Sequence, residues 1–190
     1  LRYRTLFEYA NDSIFLIKNK VFIDCNSQTL ELFKCSREEI IGRAPDVFSP
    51  DFQPDGRQSK KLFREKIETA LAGEPQFFEW RYCTNDGNLF DADVSLNKIE
   101  LGEEVLIQAI VRDVTNRKKW ERAMKESEEK YRSLFDDSRD AIYITGKDGA
   151  FIDVNEAFIN LFGYTREEII KLNAKMAYVT QEDQQYFKKI

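Results

Sequence analysis

Residues 22–41 read Phe22-Ile23-Asp24-Cys25-Asn26-Ser27-Gln28-Thr29-Leu30-Glu31-Leu32-Phe33-Lys34-Cys35-Ser36-Arg37-Glu38-Glu39-Ile40-Ile41. A β-branched and aromatic run ends at Asn26, and Leu30, Leu32 and Phe33 follow at helical spacing, so Asn26 is placed as a helix N-cap. Ser36-Arg37-Glu38-Glu39 is a capping box, in which the hydroxyl takes an amide three residues on and Glu39 reaches back. Ile40-Ile41 followed by Gly42 closes that short helix. The whole stretch returns at residues 151–170 with eleven identities in 20 positions. Residues 3–17 return at 131–145 with six identities in 15, among them Tyr3-Arg4-x-Leu6-Phe7 as Tyr131-Arg132-x-Leu134-Phe135. Convergence on an amphipathic pattern would match polarity rather than identity, so the chain holds a duplicated unit of small-domain size. Such an arrangement suits a modular protein better than a single-site enzyme.

Working upstream, Leu6, Phe7 and Ala10 share one face of a short amphipathic helix over 2–10. Residues 14–17 and 21–23 flank the polar Lys18-Asn19-Lys20 and read as a hairpin. Downstream, Pro45, Pro50, Pro54 and Gly56 make 44–58 irregular. Leu62, Phe63, Ile67 and Leu71 predict a helix over 59–72 that Gly73 ends. Three alternating runs follow. Phe78, Trp80 and Tyr82 oppose Glu79 and Arg81; Phe90, Ala92, Val94 and Leu96 oppose Asp91, Asp93 and Ser95; Val105, Ile107, Ala109 and Val111 oppose Gln108 and Arg112. One wet and one apolar face per strand predict an antiparallel sheet covered on one side by helices, an α+β fold. Asp91, Asp93 and Asp113 are expected on the solvated side.

Two strands, short helices, one longer helix and three strands, in that order, resemble the PAS domain. Its landmarks are matched by the Asn26 cap, Ser-Arg-Glu-Glu-Ile-Ile-Gly at 36–42, Phe-Glu-Trp-Arg-Tyr at 78–82, Asp86-Gly87, and the closing Asp113-Val114-Thr115-Asn116-Arg117. Ser-Pro-Asp-Phe-Gln-Pro-Asp-Gly-Arg at 49–57 is similar to a stretch in PAS units of prokaryotic sensor kinases and chemoreceptors. The resemblance implies a five-stranded sheet in the order 2-1-5-4-3, whose curved face and helices enclose a pocket. It divides the chain into a first PAS domain (1–115), a linker helix (116–136) and the N-terminal half of a second PAS domain (137–190). Nothing after Tyr186 matches the later helices and strands of the unit, so the second copy is expected to be truncated. Half a sheet leaves an open edge, so 137–190 are expected to be completed by a partner chain or to be partly disordered.

Composition narrows the function. At 42% hydrophobic and 13% aromatic residues, with 15 Phe, the chain builds small cores lined by large rings. No apolar run approaches 18 residues, and Leu1 opens no signal-peptide pattern, so the chain is expected to be a cytoplasmic fragment without membrane contact. A net charge of −5 argues against nucleic acid as a partner. Cys25, Cys35 and Cys83 lack Cys-x-x-Cys spacing and suit a reducing compartment as buried free thiols. With no histidine, neither a His-based triad nor a His phosphoacceptor is available, and zinc would have to be held by three scattered cysteines and carboxylates. No metal site and no catalytic constellation is expected. Any enzymatic activity would belong to the parent protein, for instance a histidine kinase.

PAS units sense, relay or dimerise, and the resemblance lets cofactors be tested by residue type. Haem PAS domains generally use a His ligand, which this chain lacks. A light-sensing flavin PAS needs a Cys just after the Gly-Arg that ends the Ser-Arg-Glu-Glu helix; here Gly42-Arg43 runs into Ala44-Pro45. Haem and a photo-adduct flavin are therefore not expected, and an unidentified small organic ligand remains. Its binding residues would be Phe15, Ile17, Phe33, Phe48, Phe63, Trp80, Tyr82, Ala92, Val94, Ala109 and Val111, with Trp80 and Tyr82 offering polar handles in an apolar wall. The alternative is that these side chains fill one another's space. Arg43 and Arg57 flank the irregular segment, as solvated side chains or as contacts to an anion.

The linker is the other informative feature. Residues 116–136 contain no Gly or Pro, and Trp120, Met124, Ser127, Tyr131 and Leu134 fall at steps of 4, 3, 4 and 3, a heptad seam. Trp120, Met124, Tyr131 and Leu134 are the expected seam of a parallel homodimer; a helix lying on its own domain is the alternative. The resemblance assigns signal relay to Asp113, Thr115 and Arg117, with Asp113 and Arg117 as a pair joining sheet to helix. The expected function is thus a sensory module that binds a small ligand, dimerises, or does both, and relays through the linker to an output domain downstream. The alternative is a ligand-free dimerisation spacer.

Overall fold

The computed structural model describes residues 2–173, with side chains from Arg4 onward. Residues 174–190, with Tyr186 and the end of the expected half-unit, lie outside the described residues. The chain divides into two compact units, Leu1–Trp120 and Glu121–Ile190.

In the first unit a short helix α1 (Arg2–Glu8) precedes a hairpin of β1 (Ser13–Lys18) and β2 (Val21–Cys25). Asn19 and Lys20 both take left-handed φ, 52° and 66°, the tight turn whose twist suits two adjacent antiparallel strands. Helices α2 (Ser27–Phe33) and α3 (Arg37–Ile40) follow, then a 3-10 turn (Pro45–Phe48) and helix α4 (Ser59–Leu71). Strands β3 (Gln76–Cys83), β4 (Leu89–Leu101) and β5 (Glu104–Asp113) complete an antiparallel sheet in the order β2-β1-β5-β4-β3. That is the order implied by the resemblance. The local signals hold as well: the Asn26 side chain accepts the Thr29 amide at 3.1 Å, and Glu39 takes the Ser36 amide at 2.7 Å.

Each sheet edge is bonded at one residue by another segment of the chain. On β2, the Phe22 amide donates to the Arg43 carbonyl at 2.9 Å and the Phe22 carbonyl accepts from Gly42 at 2.8 Å. On β3, the Gln53 side chain imitates a strand, accepting the Arg81 amide at 2.8 Å and donating to its carbonyl at 3.1 Å. The exposed backbone that would invite a further strand is thereby occupied at both positions.

The apolar face of the sheet and helices α2 to α4 enclose one core. Three residues expected on apolar faces, Leu6, Leu71 and Val105, are exposed. Leu6 is exposed while its neighbour Phe7 is buried, because only one stripe of so short a helix reaches the domain. Val105 is exposed because it pairs with Glu100 near the tip of the β4–β5 hairpin, past the covered part of the sheet.

Helix α5 (Thr115–Asp136) runs on from β5. The second unit then repeats the opening pattern with β6 (Tyr143–Thr145), β7 (Phe151–Val154), α6 (Glu156–Phe162) and α7 (Arg166–Ile169) around Phe151, Val154, Phe158 and Ile169. Among the described residues no helix is long and apolar enough to cross a membrane.

Candidate functional site

The side chains expected to line a pocket are brought together, but largely against one another. Phe33, fully buried on α2, has ring centroids of Phe15, Phe48, Tyr82 and Phe90 at 5.4, 5.1, 5.2 and 5.3 Å, in edge-on arrangements that favour ring quadrupoles. Ile17, Ala92, Val94, Ala109 and Val111 complete the same buried cluster. The Trp80 indole N–H is already satisfied by Ser49 Oγ at 2.9 Å, and burial pushes the Tyr82 hydroxyl well above the usual phenol range. The thiols of Cys25 and Cys35 are pushed up to about 11, first by burial, which keeps both protonated at neutral pH.

Two open clefts flank this core. The first, about 260 Å³, has Ala44, Pro45, Phe63 and Ile67 as its apolar wall and Lys20, Asp46, Lys60 and Arg64 around it. The second, about 250 Å³, is lined by Leu62, Phe78 and Trp80 among Gln53, Arg57, Lys66, Arg81, Asp91 and Lys118. Of the eleven expected ligand residues, Phe63 reaches the first cleft and Trp80 the second. Arg57, weighed as an anion contact, is engaged by Asp55 at 2.6 Å.

The polar face of the sheet leads to α5, and here the expectation of solvated aspartates is corrected for Asp91 and Asp93, whereas Asp113 is exposed. Arg81 and Asp91 stand directly opposite across β3 and β4 and pair at 2.9 Å. Two register positions on, on the same face, Glu79 and Asp93 stand opposite each other, a like-charge pair that would be unfavourable alone. The first turn of α5 supplies both counter-charges: Lys118 reaches Glu79 at 2.5 Å and Arg117 reaches Asp93 at 3.1 Å. Arg117 thus has a strand partner on β4 that the closing motif did not suggest. Asp113 accepts the Thr115 amide at 2.8 Å, capping the helix, and the Thr115 hydroxyl accepts the Asp91 amide at 3.0 Å. Asp113, Thr115 and Arg117 are therefore gathered at the point where the sheet becomes α5.

Beyond that turn α5 is solvated. Trp120 and Met124 are each 76% exposed, Leu134 67% and Tyr131 45%, so the expected seam is uncovered within the chain. Phe135 is the buried residue of this helix and stacks on Tyr131 at 5.4 Å. Sequence reasoning had no signal for Glu79, Lys118 or Gln53, whose partners lie 28 to 39 residues away.

With this geometry in place, known proteins give it a family. The family model described as PAS domain matches residues 11–116, more than half of the chain, and a second PAS domain model matches residues 129–188. The chain belongs to the PAS domain family. This PAS chain is 26% identical over 169 residues to sporulation kinase E of Bacillus subtilis (strain 168), across 88% of its own length and 22% of the kinase. Over 54 residues it is 41% identical to the methyl sulfide methyltransferase-associated sensor of Methanosarcina acetivorans, 28% of this chain and 5% of that protein. The chain therefore spans less than a quarter of either relative. A solved PAS domain from Colwellia psychrerythraea aligns with 60% of this chain and 96% of its own, at a TM-score of 0.52 and 21% identity, a likeness of fold. PAS domains are sensory modules, and this chain is similar over most of its length to part of a kinase.

Proposed function

We propose that this PAS chain is a cytoplasmic relay module that dimerises along α5 and passes a conformational signal from the first PAS unit to an output domain of the parent protein. The observation that carries the reading is the two-sided character of α5. Its first turn is bonded to β3 and β4 through Lys118, Arg117 and Thr115, while its heptad positions Trp120, Met124, Tyr131 and Leu134 are exposed. A rearrangement of β3 or β4 would therefore be felt at the root of a helix whose apolar stripe suits a second copy. Similarity to part of sporulation kinase E supports a kinase as the output of the parent protein.

A small organic ligand is the second reading, favoured by the clefts against Phe63 and Trp80. The mutual packing of Phe15, Phe33, Phe48 and Tyr82 favours a ligand-free spacer in the deep interior. Neither a haem nor a photo-adduct flavin belongs to the proposal, since the chain has no His and places Ala44-Pro45 where the adduct thiol would stand.

Native mass spectrometry of the purified chain tests both readings. A dimer carrying a mass of a few hundred daltons that is lost on denaturation supports ligand sensing with relay. A bare dimer that takes up nothing from a metabolite extract supports the spacer. A monomer overturns the relay proposal.

A further inference from the structure

The same contact set surrounds one guanidinium in each copy of the duplicated stretch. In the first unit Arg37, the first residue of α3, pairs with Asp24 of β2, donates to the Cys25 carbonyl at 2.7 Å, and lies 3.5 Å from Glu8 at the end of α1. In the second, Arg166, the first residue of α7, lies 3.6 Å from Asp153 of β7, donates to the Val154 carbonyl at 2.8 Å, and reaches Asp136 at the end of α5 at 3.3 Å. The acid at the helix end differs, Glu8 against Asp136, and the contact persists. Beside each acid stands a buried phenylalanine, Phe7 or Phe135, preceded by an exposed leucine. A further tie closes each joint. Ser27 donates from its hydroxyl to the Glu8 carbonyl at 2.9 Å, and the Asn155 side-chain amide donates to the Phe135 carbonyl at 2.9 Å.

We infer that Arg37 and Arg166 are clamps for the last turn of an incoming helix, and that Arg166 is the positioning residue through which α5 holds the helical cap of the second unit. The inference rests on the relay reading of α5. A guanidinium suits the task because its planar fork serves a helix carboxylate, a strand carboxylate and a backbone carbonyl at once, whereas an ammonium is a point charge without that geometry. A cation next to the C-terminal turn is also favourable to the helix itself. On the far side of the clamp, α3 runs into Gly42-Arg43, bonded to Phe22, and then into Ala44 and Pro45 of the first cleft. The clamp thus joins the incoming helix to a wall of that cleft. By the same correspondence, α1 occupies in the first unit the place that the end of α5 occupies in the second.

Hydrogen exchange read by mass spectrometry on the whole chain tests this, with Arg166→Met, Asp136→Asn and the double variant. Each single change should speed exchange about fivefold both in residues 131–136 and in residues 166–169, the scale of a partly exposed ionic joint. The double variant should exchange no faster than Arg166→Met, and Arg166→Lys should regain part of the protection. Arg37→Met should produce the matching effect in α1 and α3 and leave the second unit unchanged. If Arg166→Met unfolds the second unit outright, Asp136→Asn, which removes a single arm, decides the matter. Loosening confined to the substituted element, or strictly additive effects, would overturn the clamp. A monomeric chain would instead remove the relay reading while leaving coupled exchange as evidence for the joint.

Discussion

Asn26 and Asn155 show how much one buried side chain can organise. Asn26 accepts the Ile14 amide at 3.0 Å and the Thr29 amide at 3.1 Å, and donates to the Asp12 carbonyl at 2.9 Å. Asn155 repeats this with Ile142 at 2.8 Å, Phe158 at 3.0 Å and Asp140 at 2.9 Å. Each is both a helix cap and a bridge to the segment before the first strand, so its removal strands buried backbone groups as well as a helix end. Asn26→Ala should cost about 2–3 kcal/mol in urea unfolding of the first unit; a loss below about 1 kcal/mol would mean water replaces the amide. Phe33 and its counterpart Phe162 make the opposite comparison. Phe33 is fully buried among four rings, whereas Phe162 is 52% exposed. Phe33→Ala should therefore cost about 3–5 kcal/mol by thermal or urea unfolding. Phe162→Ala should cost under about 1 kcal/mol, and equal losses would refute the difference in packing. Identity between repeats did not reveal this difference, since burial depends on β3 and β4, which lie outside the matched stretch.

At the scale of elements, the acidic caps set the response to pH. The Glu39 and Glu168 carboxyls are held below the usual carboxylate range, first by the amides of Ser36 and Thr165, and Asp12 is held low by its hydrogen bond to Arg112. A carboxyl whose folded value is depressed contributes stability above its ordinary value, near 4, and loses it as pH falls through the folded value. Helices α3 and α7 should thus be at full strength at neutral pH and should fray as acid is added below about pH 4. Glu39→Gln should flatten the dependence of the first unit's unfolding midpoint between about pH 5 and pH 2, and an unchanged slope would dismiss the cap as its source. The first turn of α5 responds to charge in another way. Lys118→Glu would place a third carboxylate beside Glu79 and Asp93, costing about 1 kcal/mol and speeding amide exchange in residues 115–120. Added salt should shrink the difference, and a salt-independent loss would point to packing instead.

The whole molecule divides into what repeats locally and what is assembled at a distance. Strand alternation, the Asn26 and Ser36 caps and the heptad steps were legible because each is written within a few residues of itself. The partners of Arg37, Arg117 and Gln53 were not, because β-sheet register and helix docking bring together residues 12 to 29 positions apart. The eleven expected ligand residues were legible as one cluster, yet their mutual packing depends on side-chain volume, which alternation does not encode. The heptad seam sits between these cases: its spacing is local, but the partner proposed for it is a second chain. Trp120→Glu with Met124→Glu places two charges on a stripe that is 76% exposed at both positions, so neither change disturbs the core of the chain. In a parallel dimer those positions meet their own copies, and four carboxylates would crowd one desolvated seam. Sedimentation equilibrium should show the native chain as a dimer and the double variant as a monomer, with dimer affinity lowered at least about a hundredfold. The first unit should keep its unfolding midpoint within about 0.5 kcal/mol, since the substituted side chains are mostly exposed within their own chain. A variant that stays dimeric would move the interface off α5, and with it the route by which a signal could leave the first PAS unit.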